Sequence, residues 1–194
     1  MYITITGKSG SGKSKVGKYL EELYPNFLYL DIDQIGHLVL EEEKVKEEVS
    51  HTFHLPLMNN GSINRNLLGS IVFQSPEKME EYASITWPRM EEKIDTILKE
   101  NQEKIILLDW ALIPKTKYFK DSILNILVEA PYEVRLSRAM ARDPISIEKF
   151  KEREQASFCY DHLTFDFVIE NKNLETTKGM VKTIYEKSII SRKF

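Results

Sequence analysis

The chain has 194 residues and one cysteine, Cys159, so no disulfide can close within it. That scarcity suits a reducing compartment. Cys159 has no metal-ligating neighbour at a useful spacing and is read as structural or incidental. No apolar run is long enough to span a bilayer, and no leader pattern precedes the first apolar segment. The expectation is a cytoplasmic protein with no membrane partner. A basic excess is also lacking: 27 Lys and Arg stand against 30 Asp and Glu, a net charge of −3. A broad nucleic-acid footprint would need the opposite balance, so no nucleic-acid partner is expected. A local cationic pocket for an anionic small molecule stays open. Repeats and low-complexity linkers are absent, and Glu41-Glu42-Glu43 is most simply a solvated helix start.

What is present is the make-up of a globular domain, 42% apolar and 29% charged. Its length allows one sizeable core. The most informative stretch is Gly7-Lys8-Ser9-Gly10-Ser11-Gly12-Lys13-Ser14, which matches G-x-x-x-x-G-K-[ST]. An apolar, β-branched segment, Tyr2-Ile3-Thr4-Ile5-Thr6, comes before it. A helical pattern follows, with Val16, Leu20 and Leu23 on one face and Tyr19 beside them. Strand, glycine loop and helix together form a phosphate-binding unit. The expected nucleotide cradle is Gly7, Ser9, Gly10, Ser11, Gly12, Lys13 and Ser14. Its backbone N–H groups and Lys13 can hold the phosphates of ATP. The Ser14 hydroxyl suits Mg²⁺, a hard ion that prefers oxygen. Lys8 is expected to be an ordinary solvated lysine.

Four further apolar strands end at Asp31, Asp109, Glu129 and Glu170, with helical segments between them. The longest helix is expected near Pro76 to Asn101. The alternation predicts an α/β fold of P-loop kinase type, a five-stranded parallel sheet covered by helices on both faces. It forms a single kinase domain in three parts. A core spans 1–32, 102–134 and 159–194. A helical acceptor-binding insertion spans 33–101. A charged helical hairpin spans 135–158, either a lid over the nucleotide or a plain surface hairpin, and is broken at Asp143-Pro144, because proline biases the preceding residue away from helix.

In such a sheet the strand tips share one edge with the glycine loop. Asp31, Asp33 and Asp109 are therefore expected near the phosphates. Asp109, after Ile105-Ile106-Leu107-Leu108, suits a magnesium or water contact, with helix capping as the alternative. Asp33 can accept the proton of a hydroxyl acceptor or cap the following helix. Arg135, Arg138 and Arg142 share one side of a helix. They form either a solvated face or a group that stabilises a transferring phosphoryl.

These residues resemble the dephospho-coenzyme A kinase family along nearly the whole chain. The resemblance rests on Thr6 to Ser14, on Asp31-Ile32-Asp33 with His37 beyond, and on the turn Asn60-Gly61-Ser62-Ile63-Asn64-Arg65. Arg138-Ala139-Met140-Ala141-Arg142-Asp143, with Arg153 and Gln155 downstream, is similar to the family's lid. Asp166-Phe167-Val168-Ile169-Glu170-Asn171 resembles its last strand. The resemblance implies ATP-dependent phosphorylation of the ribose 3′-hydroxyl of dephospho-CoA, a small-molecule substrate. It implies Asp33 as general base, with Lys13, Arg138 and Arg142 on the phosphates and Asn171 at the nucleotide base. Asp31 would orient the acceptor, and His37 and Arg65 would help to bind it. Trp87 either stacks on a base or pantetheine of the substrate or packs in the core. A monomer or weak homo-oligomer is expected. Two segments depart from the family: Trp87-Pro88 stands where His-Pro is usual, and Ala111-Leu112-Ile113-Pro114-Lys115 where Pro-Leu-Leu-x-Glu is usual. Alternative readings are a kinase for another small acceptor, such as a nucleoside or nucleotide, and a non-catalytic ATP-binding regulatory module. A GTPase is disfavoured, because the segment after Asp109 lacks the switch glycine and Asn171-Lys172-Asn173-Leu174 lacks the aspartate that reads guanine.

Overall fold

The computed structural model describes residues 1–186. Five strands, β1 (Tyr2–Thr6), β2 (Phe27–Asp31), β3 (Ile105–Asp109), β4 (Asn125–Glu129) and β5 (Phe167–Glu170), pair in parallel in the order β2-β3-β1-β4-β5. This is the expected sheet. The chain forms two compact units, one made of Met1–Asp31 with the chain from Asn101 onward, the other of Ile32–Glu100. Among the described residues no helix is long and apolar enough to cross a membrane.

The first unit holds the sheet, with α1 (Lys13–Leu23), α6 (Lys117–Asp121), α7 (Tyr132–Arg142), α8 (Ile147–Gln155) and α9 (Leu174–Ile184). Side chains alternate across a strand. Ile3, Ile5, Ile105, Leu107, Ile126 and Val128 therefore share one face, where Val16 and Leu20 of α1 and Val181 and Ile184 of α9 close the core. The opposite face carries Tyr2, whose ring meets that of Tyr118 in α6 edge-on at 5.9 Å. Burial on both faces explains the continuous apolar runs of the central strands. The connection after β1 leads toward β2, and the one after β3 leads the other way, to β4. Diverging connections open a crevice at the C-terminal strand edge.

Helix α1 docks closely on β2. The Tyr29 N–H donates to Glu21 Oε1 at 2.9 Å. A Cβ on Gly17 would lie 2.5 Å from Cδ2 and Cε2 of Tyr29, so the glycine makes room for the ring. Leu23, expected on the buried face, is 40% exposed, and Gly17 is buried in the Val16–Leu20 stripe instead. The hairpin break occurs as expected. Asp143 is extended, with φ −117° and ψ 142°, between α7 and α8, and the Ser146 side chain caps α8.

The second unit is helical: α2 (Ile32–Val39), α3 (Glu43–Thr52), α4 (Arg65–Val72) and α5 (Pro76–Glu100). Helices α2, α3 and α4 pack against α5, with Ile35, Val39, Val49, Leu68, Met90 and Ile94 buried. Pro88 lies inside α5 and has no N–H to give the preceding turn. The Thr86 hydroxyl bonds the Tyr82 carbonyl at 3.0 Å in that stretch. In the Asn60-Gly61-Ser62 turn, Asn60 Oδ1 accepts from the Ser62 N–H at 3.1 Å and from its hydroxyl at 2.8 Å. Asn64 then caps α4 through the Leu67 N–H. Glu42 sits at the N-cap of α3 and pairs with Lys93 at 2.8 Å, so this acidic run is only partly solvated.

Gly17→Ala gains helix propensity of about 1 kcal/mol but drives a methyl into the Tyr29 ring. Overpacking of this kind costs about 1–3 kcal/mol. A urea titration is expected to show a lowered midpoint; an unchanged or raised one means that the ring yields freely.

Candidate active site

The glycine loop joins β1 to α1, and its course is set by close backbone approaches. Gly12, the N-cap of α1, has φ 92° and ψ 21°, a left-handed conformation that suits glycine. A Cβ there would strike the Asn171 amide, and one on Gly10 would strike the Arg135 carbonyl. The outer carbonyls of the loop meet fixed donors. Asn171 Nδ2 donates to the Ser11 carbonyl at 2.8 Å, and Asn171 Oδ1 accepts from the Thr177 hydroxyl at 2.9 Å. Arg138 donates to the carbonyls of Ser11 at 3.3 Å, Gly10 at 3.5 Å and Asn171 at 3.1 Å. Arg135 reaches the Ser9 carbonyl at 3.4 Å. With its carbonyls held from behind, the loop and the first turn of α1 keep N–H groups for an anion.

On the neighbouring strand tip, Asp109 is 3% exposed. Its Oδ2 accepts from the Ser14 hydroxyl at 3.0 Å and the Tyr29 phenol at 2.6 Å. Its Oδ1 accepts no hydrogen bond and faces Lys13 Nζ at 3.9 Å. Burial pushes the Asp109 carboxyl above the usual range; Lys13, Tyr29 and Ser14 oppose that shift. Asp31 is its register partner on β2 and adds a smaller like-charge effect in the same direction as burial. Among the described residues no three His, Cys, Asp or Glu side chains cluster as a metal cage. Ser14 Oγ and the unbonded Asp109 Oδ1 are nevertheless hard oxygen donors. They suit a small divalent cation that completes its shell with phosphate and water.

The hairpin is bound to the loop through one carboxylate. Glu154 of α8 takes Arg135 in a bidentate pair at 2.6 and 2.9 Å, and Lys8 at 2.9 Å. Lys8 is thus an ion-pair partner and not the freely solvated lysine expected. Arg135 is 7% exposed, so of the two readings of the arginine stripe the solvated face does not hold for it. Arg142 is exposed and pairs with Asp143, which Arg153 also reaches at 3.2 Å. Tyr160, just past the hairpin, donates to the Ala111 carbonyl at 2.8 Å, and Thr6 donates to the Trp110 carbonyl at 2.9 Å. These bonds pin the start of the Ala111–Lys115 segment.

The structure therefore brings Lys13, Ser14 and Asp109 together, with Asp31 on the adjoining tip. It sets Arg138 and Asn171 against the loop backbone. Asp33 follows Asp31 by two residues and lies in the first turn of α2, inside the helix and not at its cap. Asp33, His37 and Arg65 are exposed and Trp87 is half-buried, all in the second unit. Tyr29, Glu154, Thr177 and Tyr160 did not emerge from the sequence. The one local sign was a glycine at the centre of α1, opposite a bulky strand residue.

The dephospho-CoA kinase family model matches residues 1–176. The chain belongs to the dephospho-CoA kinase family. A curated relative, the dephospho-CoA kinase of Dehalococcoides mccartyi, is 32% identical over 189 residues, 94% of each chain. The structure of dephospho-CoA kinase from Campylobacter jejuni matches with a TM-score of 0.61 at 26% identity, over 97% of both chains. A crystal structure of a Thermus thermophilus protein reaches a TM-score of 0.83 at 24% identity, covering all of this chain and 98% of that one, a likeness of fold. Family membership makes the chain an ATP-using kinase with a small-molecule substrate.

Arg135 first, and Lys8 after it, hold the Glu154 carboxyl at about 2 against the opposing effect of burial. A carboxyl depressed on folding stabilises above its unfolded value near 4.5 and loses that contribution as pH falls toward its folded value. Glu154→Gln is therefore expected to lose stability at neutral pH, with the deficit shrinking between about pH 4.5 and 2. Urea midpoints measured across that range for both proteins check this; a pH-independent gap counts against the ion-pair origin.

Proposed function

We propose that this chain transfers the γ-phosphoryl group of ATP to the ribose 3′-hydroxyl of dephospho-CoA, giving coenzyme A, with its own residues in the following roles. The observation that carries the reading is the facing of Lys13 and Ser14, at the N-terminus of α1, with the buried Asp109, in a chain of this family. Lys13 and the loop N–H groups neutralise charge on the β- and γ-phosphates. Ser14 and Asp109 are the residues that would hold Mg²⁺. When bound, the ion supplies positive charge to the phosphate oxygens and helps to fix the reacting geometry. Arg138 adds positive potential behind the loop while holding its carbonyls. Asn171 serves the nucleotide end by fixing Ser11.

Asp33 takes the proton from the acceptor hydroxyl, and its neighbour Asp31 orients that group. His37, Arg65 and Trp87 belong to the acceptor side: an imidazole and a guanidinium for polar and anionic groups, and an indole for stacking. The α7–α8 hairpin acts as the lid, and Arg142 approaches the phosphates when it closes. Closure excludes water that would otherwise take the phosphoryl group. The working form is a monomer or weak homo-oligomer in the cytoplasm, with no nucleic-acid partner.

Turnover with Mg-ATP, followed by mass, is expected to favour dephospho-CoA strongly over nucleosides and nucleoside monophosphates. Equal use of a nucleoside would reassign the acceptor. Asp33→Asn is expected to bind ATP almost normally and to lose about 10²–10⁴-fold in kcat. Near-full turnover in that variant removes Asp33 as the base.

A further inference from the structure

The carboxylate of Asp109 is fixed by a residue to which neither the loop motif nor the family resemblance gives a role. Tyr29 sits on β2 in register with Leu107, two residues short of the Asp31–Asp109 pair, and its hydroxyl reaches Asp109 Oδ2 at 2.6 Å. Oδ2 also accepts from the Ser14 hydroxyl. With both donors on one oxygen, the carboxylate has a defined rotation, and Oδ1 is left without a hydrogen bond. The Ser14 proton is likewise committed, so its oxygen lone pairs remain for a cation.

The tyrosine is itself held in place. Its N–H is tied to Glu21, and its ring lies on Gly17, where a Cβ would come within 2.5 Å. A helix-interior glycine is unfavourable in propensity, and here it makes space for this ring.

We infer that Tyr29 is a positioning residue for the cation site: its phenol saturates Asp109 Oδ2, which directs Oδ1 and the Ser14 oxygen to one divalent ion. The inference rests on the reading that Ser14 and Asp109 hold that ion. A positioning residue of this kind acts on the metal-dependent part of nucleotide binding and leaves the metal-free part alone.

Tyr29→Phe keeps the ring on Gly17 and removes only the hydroxyl. Wild type, Tyr29→Phe and Asp109→Asn are titrated calorimetrically with ADP, once in EDTA and once with Mn²⁺, and free Mn²⁺ is read by electron paramagnetic resonance. Thermal melts confirm that each variant is folded. In Tyr29→Phe, ADP affinity in EDTA is expected to stay within about twofold of wild type, while Mn²⁺ affinity in the ADP complex falls roughly tenfold. Asp109→Asn is expected to abolish most of the gain that Mn²⁺ gives. A full Mn²⁺ gain in Tyr29→Phe, or an equal loss in both arms, overturns the positioning role while Asp109 keeps its own. A full Mn²⁺ gain in Asp109→Asn overturns the cation reading itself, and the inference with it.

Discussion

The site depends on the outer face of the glycine loop having its carbonyls occupied. A loop that turns its N–H groups toward an anion must turn carbonyls the other way, and buried carbonyls need donors. Asn171, Arg138 and Arg135 supply them from three directions: the end of β5 and two turns of α7. The donors come from α7 and the end of β5, more than 120 residues along the chain from the loop they hold. The loop conformation is therefore a property of the whole first unit. The charge of Arg135 is offset by Glu154, so of these donors it is Arg138 that, in fixing the backbone, also adds positive potential behind the loop.

Asp109 stands at the other wall of this arrangement and is placed at some cost. A buried carboxylate is disfavoured unless charge and hydrogen bonds offset the loss of water. Lys13 provides the charge, and Ser14 and Tyr29 provide the bonds. Burial still holds the carboxyl above the usual range. Its Oδ1, left without a hydrogen bond, is open to a further positive charge.

Much of this was legible in the sequence because it is local. The five strands announce themselves as apolar runs that end in acids or threonine. The loop is a contiguous motif, and the hairpin break follows from Pro144 alone. Asp109 was readable as a candidate because it terminates a buried strand. The partners were not readable. Tyr29 meets Asp109 across 80 residues of chain, Lys8 meets Glu154 across 146 and Asn171 meets Ser11 across 160. No periodicity encodes such pairs; the sheet order and the packing of α7, α8 and α9 create them. Lysine at a variable position is usually solvated, and nothing local in the sequence marks Glu154 as the partner of Lys8. Leu23 continues a helical stripe in the sequence, but that stripe ends one turn earlier, at Leu20, with α1 closing at Leu23.

The lone cysteine acquires a practical meaning from where the fold leaves it. Cys159 is exposed, four residues past the end of α8 and adjacent to Tyr160, whose phenol is anchored to Ala111. A fluorophore or spin label attached there would sit at the fixed root of the hairpin, with no second thiol in the chain to confuse the signal. The polypeptide can thus carry a single probe at a known position without any mutation.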